Sequence, residues 1–203
     1  MTGNTFVPVA GGDLNLQDIV PTGDSIDEGV VNIQTLDAAG RTTGMYTYWG
    51  DDMFDDDCPA GWYTDEERAE ITFATGTGLW VAGPNSEHGL TFAGQVPTED
   101  VKVVLRAGFT ATANMMPIAL SIQDIVPEGD NVDEGVVNIQ TLDSAGRTTG
   151  MYTYWGDDMF DDDCPAGWYT DEERADVTFP AGTGLWVAGP NAETSIVIPA
   201  PEL

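Results

Sequence analysis

Apolar and polar residues partly alternate along Val30-Val31-Asn32-Ile33-Gln34-Thr35-Leu36, and the β-branched side chains favour a strand. Asp37-Ala38-Ala39-Gly40 follows, with Asp opening and Gly closing, the chemistry of a type I turn finished by a left-handed glycine. The chain then returns through Met45-Tyr46-Thr47-Tyr48-Trp49. A period of two sets Met45, Thr47 and Trp49 on one face, Tyr46 and Tyr48 on the other. A hairpin is predicted here. A second hairpin is expected from Ile71-Thr72-Phe73 and Leu79-Trp80-Val81 around Thr75-Gly76-Thr77-Gly78, stopped by Gly83-Pro84. Thr64-Asp65-Glu66-Glu67 has the spacing of a helix capping box and predicts a single helical turn. Leu90–Gly94 and Val101–Arg106 are expected to pair across Pro97-Thr98-Glu99-Asp100. No apolar period of 3.6 runs long enough for a substantial helix, so the chain reads as all-β.

The pattern is written twice. Residues 17–87 recur at 123–193, an offset of 106, and the 71 aligned pairs differ at nine positions. Even the exposed-looking run Gly50–Asp57 returns unchanged at 156–163. Surfaces usually drift, so such identity implies either a young duplication or one surface presented twice. Two small β-sandwich or barrel modules are expected, at 1–98 and 99–203. Modules of about 100 residues can each bury about two-thirds of their unfolded surface. Val101–Phe109 has no clear counterpart near the N-terminus and can either complete the first sheet or begin the second. No Gly/Ser-rich or Pro-rich linker separates the copies, which implies a compact pseudo-twofold pair or two stacked modules.

Charge changes the list of partners. Thirty-five acids face six bases, of which only Lys102 is a lysine, for a net charge of −29. A polyanion repels phosphate backbones and anionic headgroups, which disfavours nucleic acid and membrane surfaces. Solubility, cation binding, docking on a basic surface and a halophilic origin all fit the same excess. The apolar runs are too short to span a bilayer as a helix, and residues 1–12 show no secretory pattern, so cytoplasmic synthesis is expected. Cys58 and Cys164 are equivalent copies in Asp-Cys-Pro-Ala-Gly-Trp, one per module, and read as half-buried free thiols rather than a disulfide framework.

Asp51, Asp52, Asp55, Asp56 and Asp57 crowd one loop, and Asp157, Asp158, Asp161, Asp162 and Asp163 repeat them. Clustered carboxylates on an irregular loop can build the oxygen shell of Ca2+, which would relieve their repulsion; a solvated acidic loop is the alternative. Asp24-Ser25-Ile26-Asp27-Glu28-Gly29 begins like a calcium-binding loop but has Ile26 at its third place and Thr35 at its twelfth. A turn closed by a left-handed Gly explains it better. Trp62 and Tyr63, with Trp168 and Tyr169, are candidates for a sugar-stacking platform; the alternative makes Trp49 and Trp80 core anchors with Trp62 at an edge. His88, the one histidine, aligns with Thr194 and reads as a surface residue. Phosphate-binding loops, nucleophile elbows and Cys/His metal spacings are missing from the sequence, so no enzyme is expected.

Ala93-Gly94-Gln95-Val96-Pro97, Ala111-Thr112-Ala113-Asn114 leading into Leu120–Ile125, and Gly184-Leu185-Trp186-Val187 give a texture that covers nearly the whole chain. It resembles tandem acidic β-repeat proteins of tailed bacteriophages and gut bacteria. The resemblance implies a virion structural protein such as a capsid decoration protein, a homo-oligomer contacting itself and other virion proteins. In that setting Met115-Met116-Pro117 and apolar strand edges are expected to touch neighbouring subunits. The runner-up is a calcium-assisted glycan-binding or adhesin module, in which duplication would supply avidity.

Overall fold

The computed structural model describes residues 3–9, 12–51, 53, 58–83, 88–91, 96–143, 145–157, 164–191 and 193–201. Among them, helical structure is confined to two 3₁₀ turns, Leu16–Asp18 and Ile122–Asp124, and every other regular element is a strand. The chain is all-β, as its short alternating runs dictate.

Ten strands form among the described residues of the first half of the chain. They are β1 (Gly3–Pro8), β2 (Leu14–Asn15), β3 (Val20–Thr22), β4 (Glu28–Leu36) and β5 (Thr42–Trp49). After the acidic loop come β6 (Gly61–Thr64), β7 (Glu67–Arg68), β8 (Thr72–Phe73), β9 (Gly78–Gly83) and β10 (Gly89–Thr91). Six of them make one antiparallel sheet in the order β1-β9-β4-β5-β6-β7, while β2 pairs with β8 and β3 with β10.

The second half contributes β11 (Val101–Val104), β12 (Gly108–Ala113), β13 (Leu120–Ser121), β14 (Val126–Glu128), β15 (Glu134–Leu142) and β16 (Thr148–Trp155). It ends with β17 (Gly167–Thr170), β18 (Glu173–Arg174), β19 (Thr178–Phe179), β20 (Gly184–Gly189) and β21 (Ser195–Ile198). The six-stranded order β12-β20-β15-β16-β17-β18 repeats that of the first half, and β13 pairs with β19. A three-stranded sheet, β11-β21-β14, stands where the described residues of the first half form the pair β3 and β10.

Each large sheet buries one face. Val31 and Ile33 of β4, with Leu79 and Val81 of β9, are fully or almost fully buried against Leu16, Ile19 and Trp62. Val137, Ile139, Leu185 and Val187 do the same against Ile122, Ile125 and Trp168. Removing these side chains from water is the main source of stability, at about 25 cal/mol per Å² of apolar surface.

The first hairpin forms as the alternation predicts. Asp37 Oδ1 accepts from the amides of Ala39 and Arg41 at 2.8 Å each, and Gly40 closes the turn at φ +75°. These backbone donors hold the Asp37 carboxyl below its ordinary value. Tyr46 is buried and Tyr48 packs on the core, while Met45 is 54% exposed on the opposite face.

Three other expected elements differ. Thr72–Phe73 does not return onto β9 but pairs with Leu14–Asn15, because the turn carrying the bond from Thr77 N to Ala74 O sends the chain to another sheet. Thr64–Glu67 caps no helix. It is the tight turn between β6 and β7, with Asp65 and Glu66 at φ +47° and +68°, a two-residue hairpin loop usually filled by Asn and Gly. Leu90 pairs with Pro21, and Val101–Val104 pairs with Ile198–Ser195, so those two segments do not meet. By this pairing Val101–Val104 belongs with the second half, and Gly108–Ala113 is the counterpart of Gly3–Pro8.

The halves also touch directly. Phe109 N donates to Ala38 O at 2.9 Å, and a Cβ placed on Gly78 would lie 2.6 Å from the Ala111 carbonyl carbon. A Cβ placed on Gly40 would lie 3.4 Å from the Trp186 indole, and one on Gly146 3.6 Å from that of Trp80.

Candidate functional site

Of the ten candidate cation ligands, Asp52, Asp55, Asp56, Asp57, Asp158, Asp161, Asp162 and Asp163 lie outside the described residues. The first residue of each cluster is described. Asp51 Oδ1 accepts from Ala60 N, and Asp157 Oδ1 from Ala166 N, both at 2.6 Å, so each ties the start of its acidic loop to the strand that follows. Among the described residues, no three His, Cys, Asp or Glu side chains are grouped to hold a metal ion. The Asp24–Gly29 stretch is a turn, with Ser25 at φ +57° and Gly29 at φ +73°. A Cβ on Gly29 would lie 2.4 Å from the Trp49 ring, so glycine is required there twice over, by conformation and by space.

Trp62 and Trp168 cannot stack on a ligand, because both are fully buried. Each indole Nε1 donates to a backbone carbonyl, Trp62 to Ile19 at 2.9 Å and Trp168 to Ile125 at 2.7 Å. Tyr63 and Tyr169 are buried beside them. The two alternatives for the aromatic residues are therefore inverted. Trp62 and Trp168 are the anchors, while Trp49 and Trp80 are only half-buried and lie on the outward sheet face. The reason is local: Gly61 and Gly167 leave room beside the 3₁₀ turns, where Gln17 and Gln123 receive the Trp62 and Trp168 amides.

His88 is buried rather than exposed, with Nε2 2.7 Å from the Asp24 carbonyl oxygen. Met115 and Met116 are also buried, in the second core, and are not available to neighbouring subunits. Cys58 and Cys164 are half-buried and in no disulfide. Cys58 Sγ donates to Tyr63 Oη at 3.0 Å, and that hydroxyl donates to Pro59 O at 2.5 Å; Cys164, Tyr169 and Pro165 repeat the chain of bonds. Burial first, and the thiol second, push the Tyr63 and Tyr169 phenols up to about 12.

What the outward sheet faces offer is a groove present twice. Met45, Thr47 and Trp49 line its floor with Tyr63, and Asp65 and Glu66 stand over it on their left-handed turn. Met151, Thr153, Trp155, Tyr169, Asp171 and Glu172 build the second copy. Met45 and Met151 are 54% and 56% exposed, large apolar side chains that the isolated chain leaves in water. The groove combines an apolar floor with an acidic rim. It supplies shape, apolar area and negative charge, and places no nucleophile beside a base.

A different cavity, of about 430 Å³, lies between the halves. Gln34, Leu36 and Trp80 line one side, Gln140, Leu142 and Trp186 the other, with Phe109 packed at 5.3 Å on Trp186. Sequence reasoning passed over Gln34 and Gln140 because a polar residue in an alternating strand reads simply as the solvent side. No family model, curated protein or solved structure matches this chain.

Proposed function

We propose that the protein is a non-enzymatic assembly component that presents one surface twice to a repeating partner. The observation that supports this reading is the duplicated groove. The seven lining positions that the two grooves share carry the same residues in both copies, including exposed Met45 and Met151 and the strained Asp-Glu turns. Core packing tolerates drift at such positions, whereas a partner that reads both copies does not. A left-handed Asp or Glu costs about 1 kcal/mol or more, a cost more readily kept where the turn serves a contact.

A virion surface is the setting that the resemblance to tailed-phage repeat proteins implies, with the chain acting as a capsid decoration protein. Two similar modules per chain suit a lattice in which quasi-equivalent neighbours recur. The net charge of −29 favours basic partner patches over nucleic acid or anionic lipid. Mass spectrometry and negative-stain imaging of purified particles test the proposal. The chain is expected in stoichiometric amounts on the particle, released when Met45→Asp and Met151→Asp are combined. Its absence from every particle fraction would overturn the reading.

A further inference from the structure

Each copied groove sets an exposed thioether beside two carboxylates. Thr47 pairs with Tyr63, and continuing that antiparallel register by two residues brings Met45 level with Asp65. Neighbouring strands lie about 4.8 Å apart, so the two groups are adjacent. The pairing of Thr153 with Tyr169 sets Met151 level with Asp171 in the same way. From this juxtaposition we infer that each groove receives one arginine side chain from an extended segment of a partner protein. The inference rests on the reading of the grooves as contact surfaces and names what they hold.

Size and apolar character limit the occupant first. The grooves enclose about 370 and 290 Å³. The larger equals a sphere about 9 Å across, narrower than a helix with its side chains at about 10–12 Å. A single side chain on extended backbone fits; a docked helix does not. Met45 and Met151 are 54% and 56% exposed, and an unbranched, polarisable thioether adapts its shape to what lies on it. An alkyl stem laid along the methionine leaves water, while a charged head reaches past it to the turn.

Charge then fixes the sign of that head. Asp65 and Glu66 are exposed, as are Asp171 and Glu172, and none is in an ion pair among the described residues. No basic side chain lines either groove. Arg68, the register partner of Tyr63, is drawn instead to Gln17 Oε1 at 3.2 Å, and Arg174 to Gln123 Oε1 at 3.3 Å. The backbone points the same way. A two-residue turn with both φ angles positive favours Asn-Gly, which would remove both charges, yet each copy keeps Asp-Glu.

Arginine suits the site better than lysine. Its guanidinium is planar and weakly hydrated, with five donors in a fixed fork that can engage carboxylates on consecutive residues. An ammonium is a compact, strongly hydrated point charge. The net charge of −29 draws basic segments toward the chain, and the grooves select among them. Because each copy builds its own groove, the ratio is two arginines per chain.

The probe is the peptide acetyl-Thr-Val-Arg-Val-Thr-amide, titrated into the full chain carrying ¹³C-methyl methionine. Salt at about 0.15 M screens attraction between exposed charges that are not in contact. The Met45 and Met151 methyl signals, assigned through Met45→Leu and Met151→Leu, are expected to shift saturably and to similar extents. Lysine in place of the arginine should weaken binding about threefold, and citrulline, its neutral isostere, at least about tenfold. Asp65→Asn with Glu66→Gln should weaken the Met45 groove at least about tenfold and leave the Met151 groove unchanged. Asp171→Asn with Glu172→Gln should do the converse. Asn is at home in a left-handed turn, so these changes leave the fold intact. Glu99→Gln with Asp130→Asn, the same change of charge outside both grooves, should alter neither.

Absence of saturable methyl shifts, equal affinity for the citrulline peptide, or equal loss at both grooves from one pair of substitutions would each overturn the proposal. Shifts that appear when the chain alone is concentrated would also overturn it, assigning the grooves to a second copy. Particle release by the combined Met45→Asp and Met151→Asp change, with no peptide-induced shift, would sink the arginine and keep the assembly reading. Peptide-induced shifts in a chain missing from every particle would do the opposite.

Discussion

The two halves differ at only nine of the 71 aligned pairs of their repeat, and their sheets differ most at one edge. In the first, β10 pairs with β3; in the second, β21 pairs with β14 on one side and with β11 on the other. Strand β11 comes from the chain between the copies, so the segment that joins them becomes part of one of them. Val103 and Leu105 follow it into the second core, and Leu105 N donates to Thr194 O at 2.8 Å. Lys102 reaches Glu128, the residue that replaces Thr22. The first half answers with His88, whose ring fills the place of Thr194 and bonds the Asp24 carbonyl. The strand order of the large sheet is thus repeated in both halves. The halves diverge where the connecting chain is used.

The largest expected effect tests how alike the copies are. Trp62→Ala and Trp168→Ala each empty a fully buried site and remove an indole bond to a carbonyl. Each should cost about 3–5 kcal/mol in urea unfolding, by the lost burial and the cavity left behind. Near-equal losses are expected, since Tyr48 and Tyr154 meet the two indoles edge-on at 5.5 and 5.4 Å. A difference above about 1.5 kcal/mol would show that one core collapses around its cavity and the other does not.

Next comes alkaline stability. Folding raises the Tyr63 and Tyr169 phenols from 10.0 to about 12, so the folded state favours the neutral hydroxyl. Their contribution is complete below pH 10 and is lost as pH climbs through about 12. Absorbance titration at alkaline pH should show a late phenolate phase coincident with unfolding. Tyr63→Phe and Tyr169→Phe should each shrink it by the same amount, the half-buried Tyr48 and Tyr154 phenols, also raised, supplying the rest. A phase that belongs to one copy alone would break the equivalence.

How much of this was legible in the residues depended on range. The β4–β5 hairpin was readable because Asp37, Gly40 and the alternation from Met45 to Trp49 act within a few residues of one another. The partner of Thr72–Phe73 was not, because Leu14–Asn15 lies far back in the chain and nothing local distinguishes it from β9. The Asp65-Glu66 turn misled for a physical reason. A Thr-x-x-Glu spacing suits a helix start, yet short flanking strands can force a left-handed pair instead. Trp62 and Trp49 exchanged roles because two tryptophans in alternating strands look the same until the buried face is known. The duplicated groove was half visible, as Met45, Thr47 and Trp49 sharing a face. The cleft between the halves was invisible, since it needs the relation of two copies.

Two smaller changes probe the edge that separates the halves. Val103→Ala, at the one buried residue of β11, should destabilise by about 2 kcal/mol. Hydrogen exchange should then quicken in β14 and β21 while β3 and β10 stay protected. Uniform loss of protection would mean that the halves unfold as one unit. Thr112 tests the reverse direction. Its buried Oγ1 has no hydrogen-bond partner among the described residues, and Val7 holds the equivalent register position, opposite Leu79 as Thr112 is opposite Leu185. Thr112→Val should therefore stabilise the chain by about 1 kcal/mol, and a loss of stability would show that the hydroxyl is satisfied in solution.

The smallest effect concerns an ion pair at the edge of the second half. Lys102 Nζ lies 2.6 Å from Glu128 Oε2, but the side chains are 60% and 49% exposed. Water screens such a pair, and holding two long side chains together costs rotamer freedom, so its net value is about 0–1 kcal/mol. Glu128→Thr restores the first-half residue and should lower stability by no more than about 0.5 kcal/mol, with the difference vanishing in molar salt. The apolar contacts of Val103 and Leu105 then hold β11 in place, and Lys102 mainly sets the edge charge. If Glu128→Thr instead released β11, seen as rapid exchange of the Val103 and Leu105 amides, the division between the halves would rest on one electrostatic contact rather than on burial.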